Sequence, residues 1–282
     1  MPADIEGRSY GPAPIGVGAD AVGRFLEATG DDGPRWLDHA PPAFAAACLF
    51  AVAPRFLTDP DVVASTRSLI HTEQHFAWHR RLAVGEALTV EGRVAAVRRR
   101  GPLTLATFVF DAAGEAPWME GTATFLLSGD AAGSAAEEAE PPHDRRAVND
   151  PPAPLPLPAV GEAVPEMLRS ASRADLVRYA AASGDWNPIH WDHEAAAAAG
   201  LPGTVVHGLL MASWITQAAA RHAGGPDPIR SLRLRFRRPL RPARQARIAG
   251  TVGAVEDGGA RLDLRLEADG VELVSAEARV TA

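Results

Sequence analysis

Val90-Glu91-Gly92-Arg93-Val94-Ala95-Ala96-Val97 is matched 158 residues later by Ile248-Ala249-Gly250-Thr251-Val252-Gly253-Ala254-Val255. At the same offset Phe76, Trp78, Arg80 and Leu82 fall on Leu234, Phe236, Arg238 and Leu240. Both copies alternate apolar and polar residues, the pattern of a half-buried strand. Alternation by itself recurs by chance, whereas a constant offset with a shared glycine is much harder to obtain. The chain therefore reads as two copies of one unit. Leu103 to Phe110 and Arg261 to Leu266 continue each copy as a strand, followed by a turn with Asp and Gly and a last strand.

Ahead of the strands each copy carries one apolar helix candidate. The first begins after Pro41-Pro42 and runs through Phe44, Cys48 and Leu49. The second begins near His207-Gly208 and runs through Leu209, Met211, Trp214, Ile215 and Ala219. Such faces are too apolar for a surface helix, so each is expected to be buried by its own sheet. One helix and a run of antiparallel strands, twice, is an α+β arrangement. Residues 129–158 are rich in Ala, Gly, Glu and Pro and lack hydrophobic periodicity, so they read as a linker. It separates an N-terminal unit, 1–128, from a C-terminal unit, 159–282.

The chemistry is concentrated in Ser183-Gly184-Asp185-Trp186-Asn187-Pro188-Ile189-His190. Gly-Asp and Asn-Pro are turn signals, and the residue before a proline is pushed away from helical angles. An ordered loop can therefore aim the Asp185 carboxylate and the His190 imidazole into one cavity. One acid and one base facing a substrate are the minimal equipment for moving water across a carbon–carbon double bond. Taken alone, the same residues also read as a helix cap and a partly exposed loop histidine. The flanks decide: Trp191-Asp192-His193-Glu194 and an alanine run follow, then Gly200-Leu201-Pro202-Gly203-Thr204-Val205-Val206-His207-Gly208.

From Tyr179 to Leu210 the chain resembles the MaoC-like, or hydratase 2, family. The resemblance implies a hotdog fold, a long helix wrapped by an antiparallel sheet, here as a double hotdog. It also implies reversible hydration of trans-2-enoyl thioesters to (3R)-hydroxyacyl thioesters without a metal or other cofactor. Removing a proton beside a thioester carbonyl requires the enolate oxygen to be stabilised, and a helix N-terminus offers unsatisfied N–H groups for that. Gly208 stands where the second helix should begin, and the resemblance likewise implies that its amide forms the oxyanion hole. Ser183, Gly184, Asn187 and Pro188 are expected to hold the loop, and His207 to cap the helix. Which of Asp185 and His190 serves which carbon stays open at this level.

The N-terminal unit carries a counterpart without its base. Phe25 to Trp36 aligns without gaps to Tyr179 to His190; Gly30, Asp31 and Pro34 match, but Trp36 takes the place of His190 and Gly33 that of Asn187. This unit is expected to have lost its site and to accommodate the acyl chain. Arg233, Arg235 and Arg237 alternate with Leu232, Leu234 and Phe236 and so share one strand face. They are either a solvated face or a docking patch for the phosphates of coenzyme A or an acyl carrier protein's phosphopantetheine. Where the family carries a Pro-x-Gly-Asp type of turn, this chain has Pro242-Ala243-Arg244-Gln245, while the first copy keeps Val84-Gly85-Glu86.

Composition narrows the rest. All 28 basic residues are arginine, which removes lysine Schiff-base chemistry and any Walker lysine. A net charge of -7 argues against nucleic acid as the main partner. No leader and no long apolar run point to secretion or a membrane span, and the one cysteine, Cys48, lies in an apolar stretch. A cytoplasmic enzyme is expected. His71, His75 and His79 recur on a strand-like run and are expected along one sheet face, with no zinc spacing anywhere. A homodimer is expected, because joining exposed sheet edges protects them. The rival readings are a non-catalytic acyl-thioester-binding accessory subunit and a hotdog thioesterase.

Overall fold

The structure, a computed structural model, describes residues 5–31, 33–64, 66, 68–101, 103–128, 155–222, 228–256 and 258–281. The first unit runs β1 (Ser9–Gly16), α1 (Ala19–Thr29), a 3-10 turn at Gly33–Trp36, β2 (His39–Ala40) and α2 (Ala45–Leu57). It continues with α3 (Pro60–Val63), β3 (Ser68–Trp78), β4 (Leu82–Ala83), β5 (Ala87–Arg100), β6 (Leu103–Ala113) and β7 (Pro117–Ser128). The second unit runs β8 (Ala163–Arg169), α4 (Arg173–Ser183), a 3-10 turn at Pro188–His190, α5 (His193–Ala198) and α6 (Gly208–Ala220). It ends with β9 (Ile229–Phe236), β10 (Ala246–Glu256), β11 (Gly259–Ala268) and β12 (Val271–Thr281).

Alternation selects the inner face of each strand. In β5, Leu88, Val90, Gly92 and Val94 are buried and their neighbours are exposed. Helix α2 buries Ala45, Cys48, Leu49, Val52 and Phe56, a stripe at helical spacing that packs on β1, β5 and β6. Helix α6 is apolar nearly all round, and it is buried on every side, against β9, β11 and β12. The glycine shared by the two copies has a steric cause. A Cβ at Gly92 would stand 2.5 Å from the Phe108 ring and 2.9 Å from Val52 of α2, and one at Gly250 would stand 2.2 Å from the Asp263 carbonyl oxygen.

Ten strands form one sheet in the order β1-β5-β6-β7-β3-β9-β12-β11-β10-β8. Each half has the same connectivity read outward from the middle, where β3 and β9 pair antiparallel. There His75 lies opposite Arg233, its own counterpart at the offset of 158, and the pairs Gln74–Leu234 and Phe76–Leu232 exchange under the same relation. A local two-fold axis thus passes between His75 and Arg233, and the two units cover each other's edge. The remaining edges, β1 and β8, carry Pro12, Pro14 and Pro165, which cannot donate to a further strand.

Helices α1 and α4, which periodicity did not disclose, pack on each other, with the Phe25 and Tyr179 ring centroids 6.1 Å apart. The expectation that His71 and His75 share a face is corrected. Thr72 is an extra residue in the β3–β7 pairing, so His71 turns inward opposite Phe125 while His75 points outward. Of the linker expected over 129–158, residues 129–154 lie outside the described residues. Its end is pinned to the close of α6, where the Leu155 N–H donates to the Arg221 carbonyl at 2.7 Å. Among the described residues no helix is long and apolar enough to cross a membrane.

Candidate active site

The loop that carries Asp185 is built by short-range hydrogen bonds. Helix α4 starts with a capping box, Ser172 with Asp175, and stops at Gly184, whose φ of 82° ends the helix in the left-handed region. The Ser183 hydroxyl donates to the Tyr179 carbonyl at 2.7 Å and accepts the Asp185 N–H at 3.2 Å. The Asn187 side chain accepts the Ile189 N–H at 3.3 Å and caps the 3-10 turn that Pro188 opens. That turn delivers His190. Ser183, Gly184, Asn187 and Pro188 thus hold the loop in place.

Asp185 and His190 come together in a buried site, 7% and 6% exposed. His190 Nε2 lies 3.9 Å from Asp185 Oδ2, beyond direct hydrogen-bonding distance. His190 Nδ1 lies 2.8 Å from the Val205 carbonyl oxygen, which can only accept. The ring is therefore protonated at Nδ1 and presents a lone pair at Nε2. Burial among apolar groups pushes the Asp185 carboxyl up to about 7, with the Asn187 N–H opposing weakly. Burial pushes His190 down to about 4, with the Val205 carbonyl opposing. Between about pH 4 and 7 the pair therefore holds a proton donor and a neutral base.

His207 does not cap α6 with its side chain, contrary to expectation. Its Nε2–H donates to the Asp185 backbone carbonyl at 3.2 Å, and its ring stacks on His190 with centroids 3.8 Å apart. The Nδ1 atom of His207 has no hydrogen-bond partner among the described residues, and burial keeps the ring neutral. Its position immediately before the helix start was legible in the sequence; its stacking was not. Donor atoms of Asp185, His190 and His207 lie within 4.8 Å of one another. The two rings are stacked with 23° between their planes, a poor arrangement for two ligands of one tetrahedral cation.

Gly208 is the first residue of α6, and no side chain caps that end. Its N–H has no intrahelical acceptor and is available to an oxyanion. The Phe236 ring lies 3.4 Å from where a Gly208 Cβ would be. Asp185, His190, Gly208 and Phe236 line a cavity of about 250 Å³. Phe50, Leu57, Leu69, His71 and Phe125 of the first unit line it too. Of the arginines named from the sequence, Arg237 borders this cavity and pairs with Glu272 at 2.7 Å. Arg235 pairs with Glu73 at 2.8 Å on the outer face, and Arg233 stands between His75 and Glu277 in the sheet. Arg238, next along the chain, also borders the cavity and is exposed.

The MaoC like domain matches residues 157–267, and the FAS1-like dehydratase domain region matches residues 4–115. Over 256 residues the chain is 32% identical to 3-hydroxyacyl-thioester dehydratase X of Mycobacterium tuberculosis, spanning 88% of this chain and 81% of that protein. It is 38% identical over 81 residues to the mitochondrial 3-hydroxyacyl-acyl-carrier-protein dehydratase of Arabidopsis thaliana, 29% of this chain and 48% of that one. A solved MaoC-like dehydratase superposes with a TM-score of 0.83 at 21% identity, covering 100% of this chain and 99% of that one. A solved Mycobacterium tuberculosis protein described as a double hotdog gives 0.64 at 12% identity, covering 98% and 96%. These two likenesses show the fold, a double hotdog. The identity to the mycobacterial dehydratase runs through most of both chains, and this chain belongs to the MaoC-like dehydratase family of hydro-lyases.

Proposed function

We propose that this protein is a 3-hydroxyacyl-thioester dehydratase that also runs in reverse as an (R)-specific hydratase of trans-2-enoyl thioesters. The carrying observation is the 3.9 Å gap between His190 Nε2 and Asp185 Oδ2 beside the free end of α6. In hydration, the Gly208 N–H holds the thioester oxygen and a water sits in the gap. His190 Nε2 takes one water proton as the oxygen bonds to Cβ; the electron pair of the double bond moves to the carbonyl oxygen as an enolate. Asp185 then gives its proton to Cα and the carbonyl re-forms. Dehydration is the same path reversed, and no metal takes part. A donor such as the Gly208 N–H is typically worth about a hundredfold in rate.

The N-terminal unit, in this reading, receives the acyl chain. Phe50, Leu57, Leu69 and Phe125 in the cavity wall support it, as does buried Trp36 closing a 3-10 turn where the second unit has His190. The reading includes a cytoplasmic location, consistent with buried, unpaired Cys48, and a homodimer joined away from the proline-bearing edges.

Incubation with crotonyl-CoA tests the activity. Loss of enoyl absorbance with no free thiol, yielding the (3R)-alcohol, is the expected result. Release of thiol would indicate a thioesterase, and unchanged absorbance with retained acyl-CoA binding a non-catalytic accessory subunit.

A further inference from the structure

The two-fold relation between the units extends into the loop after β3 and β9, and there the two copies differ in charge. In the first copy Arg80 makes a bidentate ion pair with Glu86, at 2.9 and 2.8 Å. The backbone of the second copy repeats the turn. The Gly85 N–H donates to Val17 and the Ala243 N–H to Ala171, each at 2.8 Å; Glu86 donates to Ala83 at 3.3 Å and Arg244 to Arg241 at 3.4 Å. At the offset of 158, Arg80 corresponds to Arg238 and Glu86 to Arg244. The carboxylate that should neutralise Arg238 is thus replaced by a second cation.

Arg238 makes no ion pair or side-chain hydrogen bond among the described residues, while its neighbours Arg235 and Arg237 are engaged by Glu73 and Glu272. It is exposed at the border of the cavity that holds Asp185, His190 and Gly208, two residues beyond the Phe236 ring beside Gly208. An exposed guanidinium with no carboxylate partner among the described residues, in a chain of net charge -7, is a place for an anion.

We propose that Arg238, left unpaired because Arg244 replaces the glutamate of the first copy, binds a phosphate of the thioester's carrier arm. This rests on the thioester reading above, since that reading supplies a ligand with phosphates. The phosphate belongs either to coenzyme A or to phosphopantetheine on a carrier protein, and both present the same chemistry to the guanidinium.

Binding of saturated thioesters tests this without requiring turnover. Butyryl-CoA, butyryl-4'-phosphopantetheine and butyryl-pantetheine, which has no phosphate, are titrated calorimetrically into the wild type, Arg238→Gln and Arg244→Glu. Arg238→Gln is expected to weaken butyryl-CoA about tenfold relative to butyryl-pantetheine, the scale of one charged hydrogen bond. Arg244→Glu restores the pair present in the first copy and should produce the same relative loss, with the double variant no worse than either alone. A loss shared by 4'-phosphopantetheine assigns the contact to that phosphate, and a loss confined to CoA assigns it to the nucleotide end. An unchanged ratio in Arg238→Gln overturns the proposal. Failure of the wild type to hydrate crotonyl-CoA while these ratios hold would count against the dehydratase reading alone.

Discussion

His190 Nε2 stands 3.9 Å from Asp185 Oδ2, too far for a hydrogen bond and close enough for one oxygen atom to touch both. Burial pushes the two groups in opposite directions, so that the aspartate keeps a proton the histidine does not take. In the proposed reaction the pair is one unit holding one proton, which has consequences for mutation and for pH.

Asp185→Asn and His190→Ala should each lower kcat/KM by at least about a hundredfold, the lower range for a positioned acid or base. Circular dichroism should show the fold retained, since the loop is held by Ser183, Asn187 and Gly184. Near-wild-type turnover in either variant would refute the assignment.

The active form needs neutral His190 and protonated Asp185, so kcat/KM for hydration should fall below about pH 4 and above about pH 7. Dehydration starts from the other arrangement of the same single proton, ionised Asp185 with protonated His190, and should be bounded by the same limbs. A rate–pH profile flat from pH 6 to 9 would contradict this.

Stability should respond to Asp185 as well. Its folded pKa lies above the unfolded value of 3.8, so ionisation opposes folding increasingly from about pH 4 to 7 and fully above that. Asp185→Asn should therefore raise stability at pH 8 by at least about 1 kcal/mol and change it little at pH 4. Thermal melts at the two pH values check the sign.

Ala243 sits at φ 60°, where the first copy has Gly85 at 99°. An L-residue is strained there, so Ala243→Gly should stabilise the protein by roughly 1 kcal/mol and Gly85→Ala should destabilise it. Opposite shifts in Tm are expected; a lower Tm for Ala243→Gly would contradict the strain argument.

Asp31 ends α1 as Asp185 follows α4, but buried Trp36 closes the next turn where an imidazole would be needed. Asp31→Ala should leave kcat nearly unchanged, and titration with a tight substrate analogue should find one site per chain. Two equivalent sites would sink the idea of a single working unit.

What the chain reveals without coordinates is whatever is written locally. The Val90 and Ile248 segments announce half-buried strands because side chains alternate on a pleated chain, and Gly92 and Gly250 recur because neither place has room for a Cβ. Asp185 and His190 are five positions apart, and Gly184, Asn187 and Pro188 between and before them specify the turn that brings them together. Other features depend on register and on partners distant in sequence, and these only the tertiary structure decided. One extra residue, Thr72, turns His71 from the outer face into the cavity. His207 follows the loop and stacks on His190 because helix α6 brings it there, not because of any local signal. The arginines of β9 and of the two residues after it look alike in sequence; whether each is neutralised depends on which carboxylate packs beside it. Glu73 meets Arg235, Glu272 meets Arg237, and the carboxylate that pairs with Arg80 in one unit has no counterpart for Arg238 in the other.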